Sequence, residues 1–281
     1  MSVSDFLRTM AARSRERAAS IPYAFGAGDF DLPVAPLTLG SFELIAELKE
    51  RSPSAGDLAN ESRSRADRAR RYLEGGAAAI SVLTEPSSFG GDMSHLREVV
   101  AAVSGASLPV MRKDFLVDVR QVLEARAAGA SGVLLIVAML SDDKLADMLD
   151  CAFEHSLFVL LESFDEDDIG RTASLLEVGR YADRAGHRQL LIGVNSRSLR
   201  TLEVDSGRLA RLAPILPHGA VAVAESGLEN PEDAALVSSL GYGVALVGTA
   251  LMREGSPGAL IGDMLVAGRA AVATERNSIR A

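Results

Sequence analysis

Eight short apolar runs punctuate the chain, separated by longer stretches in which apolar residues recur at helical spacing. The runs are Leu44–Leu48, Ala78–Leu83, Leu108–Met111, Gly132–Leu140, Phe158–Leu161, Leu190–Val194, Ala220–Ala224 and Gly243–Val247. Each is almost continuously hydrophobic, the pattern of parallel strands covered on both faces; half-exposed strands would alternate. The intervening stretches carry helix-start signals. Ser141-Asp142-Asp143 offers an N-cap and an acidic first turn, and Asn230-Pro231-Glu232-Asp233 adds proline at the first helical position. With a closing helix from Pro257 to about Val272, the alternation predicts a single α/β architecture, a (β/α)8 TIM barrel. An open doubly wound sheet shares the alternation, but no glycine-rich dinucleotide loop follows the first strand. Ser4–Ser20 predicts an extra N-terminal helix, and Ile21–Gly40, with several Pro and Gly, a linker that lays it across one end. The organisation expected is therefore 1–40 as helix and linker and 41–281 as barrel.

A length of 281 residues accommodates such a barrel, which commonly needs about 250. Aromatics are only 5% and Trp is absent, so the core must be aliphatic. A net charge of −9 argues against a nucleic-acid surface and against an anionic membrane. An anionic small substrate stays open, because a few cations in a cleft can dominate the local field. The single cysteine, Cys151, excludes an internal disulfide, and four scattered histidines lack metal-site spacing. No apolar run is long enough for a membrane span, and Met1–Ser20 lacks a signal peptide's apolar region. A reduced, cytoplasmic protein is expected, and few surface aromatics point to a monomer.

Barrel enzymes place their chemistry at the C-terminal ends of strands. Glu47 and Lys49 end the first, two apart and so on the same side of an extended chain. They read as a proton-exchanging pair or as a surface ion pair. Lys113 directly follows the third run, where partial burial would lower its pKa and ready it as a general acid; a solvated lysine is the alternative. Glu162 ends the fifth run, where desolvation would suit a general base, or where it serves as a buried acceptor. Asn195 and Arg197 end the sixth with amide and guanidinium groups suited to a carboxylate or phosphate. The seventh and eighth end in Glu225-Ser226-Gly227 and Val247-Gly248-Thr249, adjacent small turns of the kind that hold phosphate.

Taken in order, these strand ends resemble the indole-3-glycerol-phosphate synthase family. The carrying stretches are Ile45-Ala46-Glu47-Leu48-Lys49 with Ser52-Pro53-Ser54, Ile80 to Glu85 with Phe89-Gly90-Gly91, and Arg112-Lys113-Asp114-Phe115. Gln121 to Ala130, Leu134 to Ala138, Asn195 with Arg197 and Leu199, Glu225-Ser226-Gly227 and Val247 to Met252 complete them. The resemblance implies closure of 1-(2-carboxyphenylamino)-1-deoxyribulose 5-phosphate to indole-3-glycerol phosphate, with loss of CO₂ and water, in tryptophan biosynthesis. It implies a carboxy-lyase with no metal or organic cofactor, in which association with other enzymes of the pathway stays open.

Carried over by motif, Lys113 is the general acid that protonates the ketone and Glu162 the base in dehydration. Lys49 touches substrate and relays a proton, and Glu47 orients this array. Asn195 and Arg197 resemble the residues at the anthranilate carboxylate. Ser52, Ser226, Gly227, Gly248 and Thr249 resemble the phosphate side, with Glu225 beside them in the substrate site. Phe89 and Phe115 resemble the walls against the ring.

Departures are Ser163-Phe164 where the family usually has a Val-His-type pair, and Ser196 and Ser198 where it has Asn. A polar excess at Glu177–Arg188 reads as an extended fifth helix or its following loop. A paralogue acting on a substituted ring is one alternative. A phosphoribosylanthranilate isomerase would want a cysteine at the first strand end, where there is none. A catalytically silent barrel subunit would lack the charges at the strand ends.

Overall fold

The computed structural model describes residues 5–22, 24–52, 56–58, 64–197 and 204–280, with the side chains of Ala27, Ser52 and 275–280 left aside. Eight parallel strands close on themselves: β1 (Glu43–Leu48), β2 (Ala79–Leu83), β3 (Val110–Lys113), β4 (Gly132–Ile136), β5 (Phe158–Ser163), β6 (Leu190–Asn195), β7 (Val221–Glu225) and β8 (Val244–Val247). Each pairs with its sequence neighbour, and β8 closes on β1 with Leu246 opposite Ile45.

The continuous hydrophobicity of the runs resolves into two concentric cores. Ile45, Ala79, Met111, Leu134, Leu160, Leu191, Val223 and Val244 point inward and pack on one another, with Phe158 among them. The alternate residues, such as Leu44, Ala46, Ile80, Val133, Leu135, Val159 and Leu161, face the surrounding helices. Two residues beyond an inward apolar position, the same face becomes polar: Glu47 after Ile45, Lys113 after Met111, Glu162 after Leu160, Glu225 after Val223. The period-two geometry of a strand thus aims these charged groups into the barrel mouth.

The helices begin α1 (Asp5–Ala19), α2 (Arg65–Glu74), α3 (Met93–Val103), α4 (Val119–Ala127), α5 (Asp142–Glu154), α6 (Glu166–Leu176) and α7 (Gly179–Gly186). They continue as α8 (Arg208–Leu212), α9 (Pro231–Ser239), α10 (Thr249–Arg253) and α11 (Pro257–Arg280). The caps read from sequence are formed: Ser141 accepts from the Lys144 amide and Asn230 from the Asp233 amide.

Several boundaries differ from the apolar runs. β3 starts at Val110, not Leu108, because Pro109 has no amide to donate; its carbonyl still accepts from Ile80. β4 stops at Ile136 although the run continues to Leu140. Val137–Met139 turn as a 3-10 helix, with the Arg171 guanidinium donating to the carbonyls of Val137 and Leu140. β5, β6 and β7 each outlast their apolar run, through Ser163, Asn195 and Glu225. The polar excess after α6 is neither an extension of it nor a loop but a separate helix, α7. Its buried Tyr181 packs on Phe153 of α5 and donates to Asp150 at 3.0 Å, so the excess lies outside the strands. α11 continues past Val272 because no Gly or Pro interrupts 273–280.

The N-terminal helix lies over the mouth. Leu7 and Met10 join the inner core beside Phe115 and Ile136, while Arg13 donates to Ser87 at 2.9 Å. Arg17 donates to the buried Asp114 at 2.6 Å and approaches Glu85 to 3.7 Å. Replacing Arg17 by Ala should lower stability by about 1–2 kcal/mol and raise hydrogen exchange across α1 first. A denaturant titration with exchange mass spectrometry checks both; an unchanged α1 would remove Arg17 as its latch.

Candidate active site

Five charged side chains converge where the inner face turns polar. Lys113 Nζ lies 2.9 Å from Glu162 Oε2 and 3.2 Å from Glu225 Oε2, donating to both. Asn195 Nδ2 donates to the same Glu162 oxygen at 3.2 Å, and its Oδ1 accepts from the Arg197 amide at 2.9 Å. Lys49 Nζ donates to Glu47 Oε1 at 2.6 Å. All three carboxylates are buried, and the two lysines keep partial exposure to the mouth.

The sequence-based expectation for Lys113 is reversed in sign. Burial does pull its pKa down, but Glu162, Glu225 and Glu47 together outweigh that and hold the ammonium above its ordinary range. Lys113 therefore keeps its proton throughout ordinary pH. The group pushed the other way is Glu225. Burial raises it, Lys113 opposes, and the adjacent Glu162 adds to the rise, leaving a carboxyl well above the usual carboxylate range. Burial also raises Glu47, but Lys49 and Lys113 dominate and hold it below its ordinary value. Two carboxylates in one site are thus driven apart in proton affinity.

A cavity of about 260 Å³ opens over this cluster. Phe6, Phe89 and Phe115 line one part, with Phe115 5.8 Å from Phe6 and 6.1 Å from Phe89 between ring centroids. Phe89 is placed by a one-turn helix, Pro86–Phe89, whose free amides at Ser87, Ser88 and Phe89 donate to the buried Glu85 carboxylate. Phe115 is placed by Asp114, which accepts from the Phe115 amide at 2.8 Å, from Thr84 Oγ1 at 2.9 Å and from Arg112 at 3.2 Å. Arg112 is itself buried and tied to Glu124 and the Gln121 carbonyl. The run Arg112-Lys113-Asp114-Phe115 thus carries Lys113 and Phe115 to the cavity, while Arg112 and Asp114 join a buried network whose Asp114 also touches the cavity.

Ser226, Gly227, Gly248 and Thr249 line the opposite part, beside Arg253. Gly227 stands at φ +77°, and a side chain there would meet Val204 at 2.7 Å, so only glycine suits this turn. Every site residue expected from sequence whose side chain is described lines this cavity. The Ser52 side chain lies outside the described residues, as do Pro53, Ser54, Ser198 and Leu199.

Neither Ser163 nor Ser196 reaches the cavity. Ser163 is fully buried, and Ser196 is buried with its hydroxyl donating to the Ser226 carbonyl at 2.8 Å. These departures from the family pattern fall behind the lining; Ser196 fastens the β6 end to the β7 turn. Sequence reasoning missed Phe6, Leu83, Leu134, Ile136, Leu228 and Arg253, which also line the cavity. It also passed over a compositional signal: the chain has three lysines, Lys49, Lys113 and Lys144, and two of them stand here.

A parallel (β/α)8 barrel with charged groups gathered at its C-terminal mouth, beside an aromatic wall and small turns, has the architecture of a barrel enzyme. Residues 38–264 match the family model described as indole-3-glycerol phosphate synthase. A Nocardioides sp. protein of that name is 45% identical over 248 residues, 86% of this chain and 89% of the relative. One from Mycobacterium avium is 43% identical over 225 residues, 80% of this chain and 77% of the relative. The chain belongs to the indole-3-glycerol phosphate synthase family.

Solved structures show the same fold at low identity. 3-Hexulose-6-phosphate synthase from Salmonella typhimurium aligns with a TM-score of 0.62 at 14% identity, covering 82% of this chain and all (100%) of its own. Phosphoribosyl anthranilate isomerase from Thermotoga maritima gives 0.53 at 13%, covering 81% and 99%. No helix among the described residues is long and apolar enough to cross a membrane.

Because Glu225 is raised in the folded protein, its contribution to stability is full below the ordinary glutamate value of 4.5 and is lost as pH rises through the folded value. Glu225→Gln removes that loss. Urea unfolding at about pH 5 and about pH 8 should show the variant gaining on the parent at the higher pH. An opposite trend would mean that Glu225 ionises readily.

Proposed function

We propose that the chain catalyses closure of 1-(2-carboxyphenylamino)-1-deoxyribulose 5-phosphate to indole-3-glycerol phosphate, releasing CO₂ and water, as a carboxy-lyase of tryptophan biosynthesis. The observation that carries this reading is the Lys113 ammonium, fixed between Glu162 and Glu225 at the floor of a cavity with an aromatic wall on one side and small phosphate-type turns on the other.

In this reading the anthranilate ring packs among Phe89, Phe115 and Phe6, its carboxylate towards Asn195 and Arg197. The phosphate sits at Ser226-Gly227 and Gly248-Thr249, whose amides favour an anion, with Arg253 near by; the family resemblance adds Ser52 to this set. The ring carbon bearing the carboxylate attacks the ketone carbon, and Lys113 gives its proton to the ketone oxygen as the bond forms. Buried carboxylates keep this lysine protonated, so the proton that step needs is already in place. The carboxylate then leaves as CO₂, and its bonding pair returns to the ring. The new hydroxyl departs as water with a proton from a lysine ammonium, Lys49 being the relay, while Glu162 removes a proton and the indole double bond forms. Glu47 holds Lys49 in place through their short hydrogen bond.

Adding the carboxyphenylamino-deoxyribulose phosphate to the purified protein should produce indole fluorescence. Lys113→Met should lower kcat by about 10²–10⁴-fold, the usual worth of a general acid, with an unchanged circular dichroism spectrum. Absence of turnover by the folded parent would sink the reaction; parental rates in the variant would remove Lys113 from its role.

A further inference from the structure

Gly193 stands on the inner face of β6 between Leu191 and Asn195, fully enclosed. Its backbone is ordinary strand, so nothing in its dihedral angles calls for glycine, and a glycine inside a strand weakens it. What the missing side chain leaves is room. A Cβ at this position would lie 2.2 Å from Glu225 Oε1 and 3.1 Å from a Leu160 methyl. Glu225, whose backbone pairs with Asn195, lays its carboxyl beside the bare Gly193 backbone. One oxygen, Oε1, is buried there without a hydrogen-bond partner, and the other meets Lys113 at 3.2 Å. The end of β8 repeats the device: a Cβ at Gly248 would lie 2.3 Å from Glu47 Oε1 and 2.9 Å from Lys49 Nζ. Two glycines on inward positions thus vacate the space that the carboxylates beside the two lysines occupy.

We propose that Gly193 is a positioning residue for the reaction: the volume it leaves empty seats the Glu225 carboxyl group against Lys113, so that the ammonium is held between the carboxyl groups of Glu162 and Glu225. The proposal rests on Lys113 being the general acid. Of the atoms that a side chain at 193 would meet, the Glu225 carboxyl is the far end of a flexible chain and is the one that yields. Its displacement withdraws from Lys113 a hydrogen-bond acceptor that becomes a counter-charge as Glu225 ionises with rising pH, without cutting the strand ladder.

Gly193→Ala, Glu225→Ala and the double variant test this. Two readouts are needed: kcat against pH, and competitive acylation of Lys113 against pH followed by mass spectrometry, with Lys144 as the surface reference. Gly193→Ala should lower kcat by about 10- to 100-fold, as misplacement of a catalytic group by about an ångström does. It should also move Lys113 acylation and the alkaline limb of kcat to lower pH. In the Glu225→Ala background the same change should alter neither.

Should Gly193→Ala fail to fold, recovery of folding in the double variant supports the clash, and failure of both overturns it. Parental kcat and labelling in Gly193→Ala would overturn the proposal. So would an equal loss with and without the Glu225 side chain. If the parent does not turn over the substrate, the assigned reaction falls, while the labelling still decides whether Gly193 seats Glu225.

Discussion

Burying an ion in an aliphatic barrel is costly unless another charge answers it, and this requirement organises the mouth of the molecule. Glu47, Glu162 and Glu225 are each buried, and each is within reach of a lysine that none of them could lose cheaply. Lys113 serves two carboxylates at once, so the carboxyl with the least solvent and no partner for its second oxygen, Glu225, tends to hold a proton instead of a charge. Proton affinity is distributed by packing, and the separation of one acid from another follows from where each is enclosed. Catalytic readiness in the proposed reaction is a by-product of that electrostatic bargain.

The outward half of the same strands carries a second network with the same logic. Arg112 and Asp114 flank Lys113 and bind Thr84, Glu124, the Gln121 carbonyl and, through Arg17, the N-terminal helix, with Asp114 also at the edge of the cavity. Lys113 is rigid because its neighbours are fastened on the far side of the sheet. By contrast α7 is added outside α5, where it touches neither network, so extra chain is accommodated without disturbing the mouth.

Much of this was legible in the sequence, for identifiable reasons. Strands covered on both faces advertise themselves as apolar runs, and a charge placed directly after such a run can only project from a strand end. Lys113, Glu162 and the Glu47–Lys49 pair were found that way. The run-based boundaries failed where the deciding factor was not hydrophobicity: Pro109 cannot donate, and Arg171 folds the backbone after Ile136 into a turn. The direction of the Lys113 shift was misjudged because burial is visible in one run of residues, whereas Glu225 and Glu47 come from strands far away in sequence. Gly193 looked like one small residue in an apolar strand, and its significance lies in a neighbour that sequence does not reveal. Phe6 was hidden because α1 reaches the cavity only through the tertiary fold.

The placement of α1 also sets an order on synthesis. It is made before the groups that fasten it: Ser87 lies 74 residues after Arg13, and Asp114 lies 97 residues after Arg17. Until the end of the third strand has left the ribosome, the Arg17–Asp114 contact that fastens the helix cannot form, and the helix must wait beside a half-made sheet. A segment made early is therefore among the last to find its place, and the cavity, lined from Phe6 to Arg253, is complete only once most of the barrel exists.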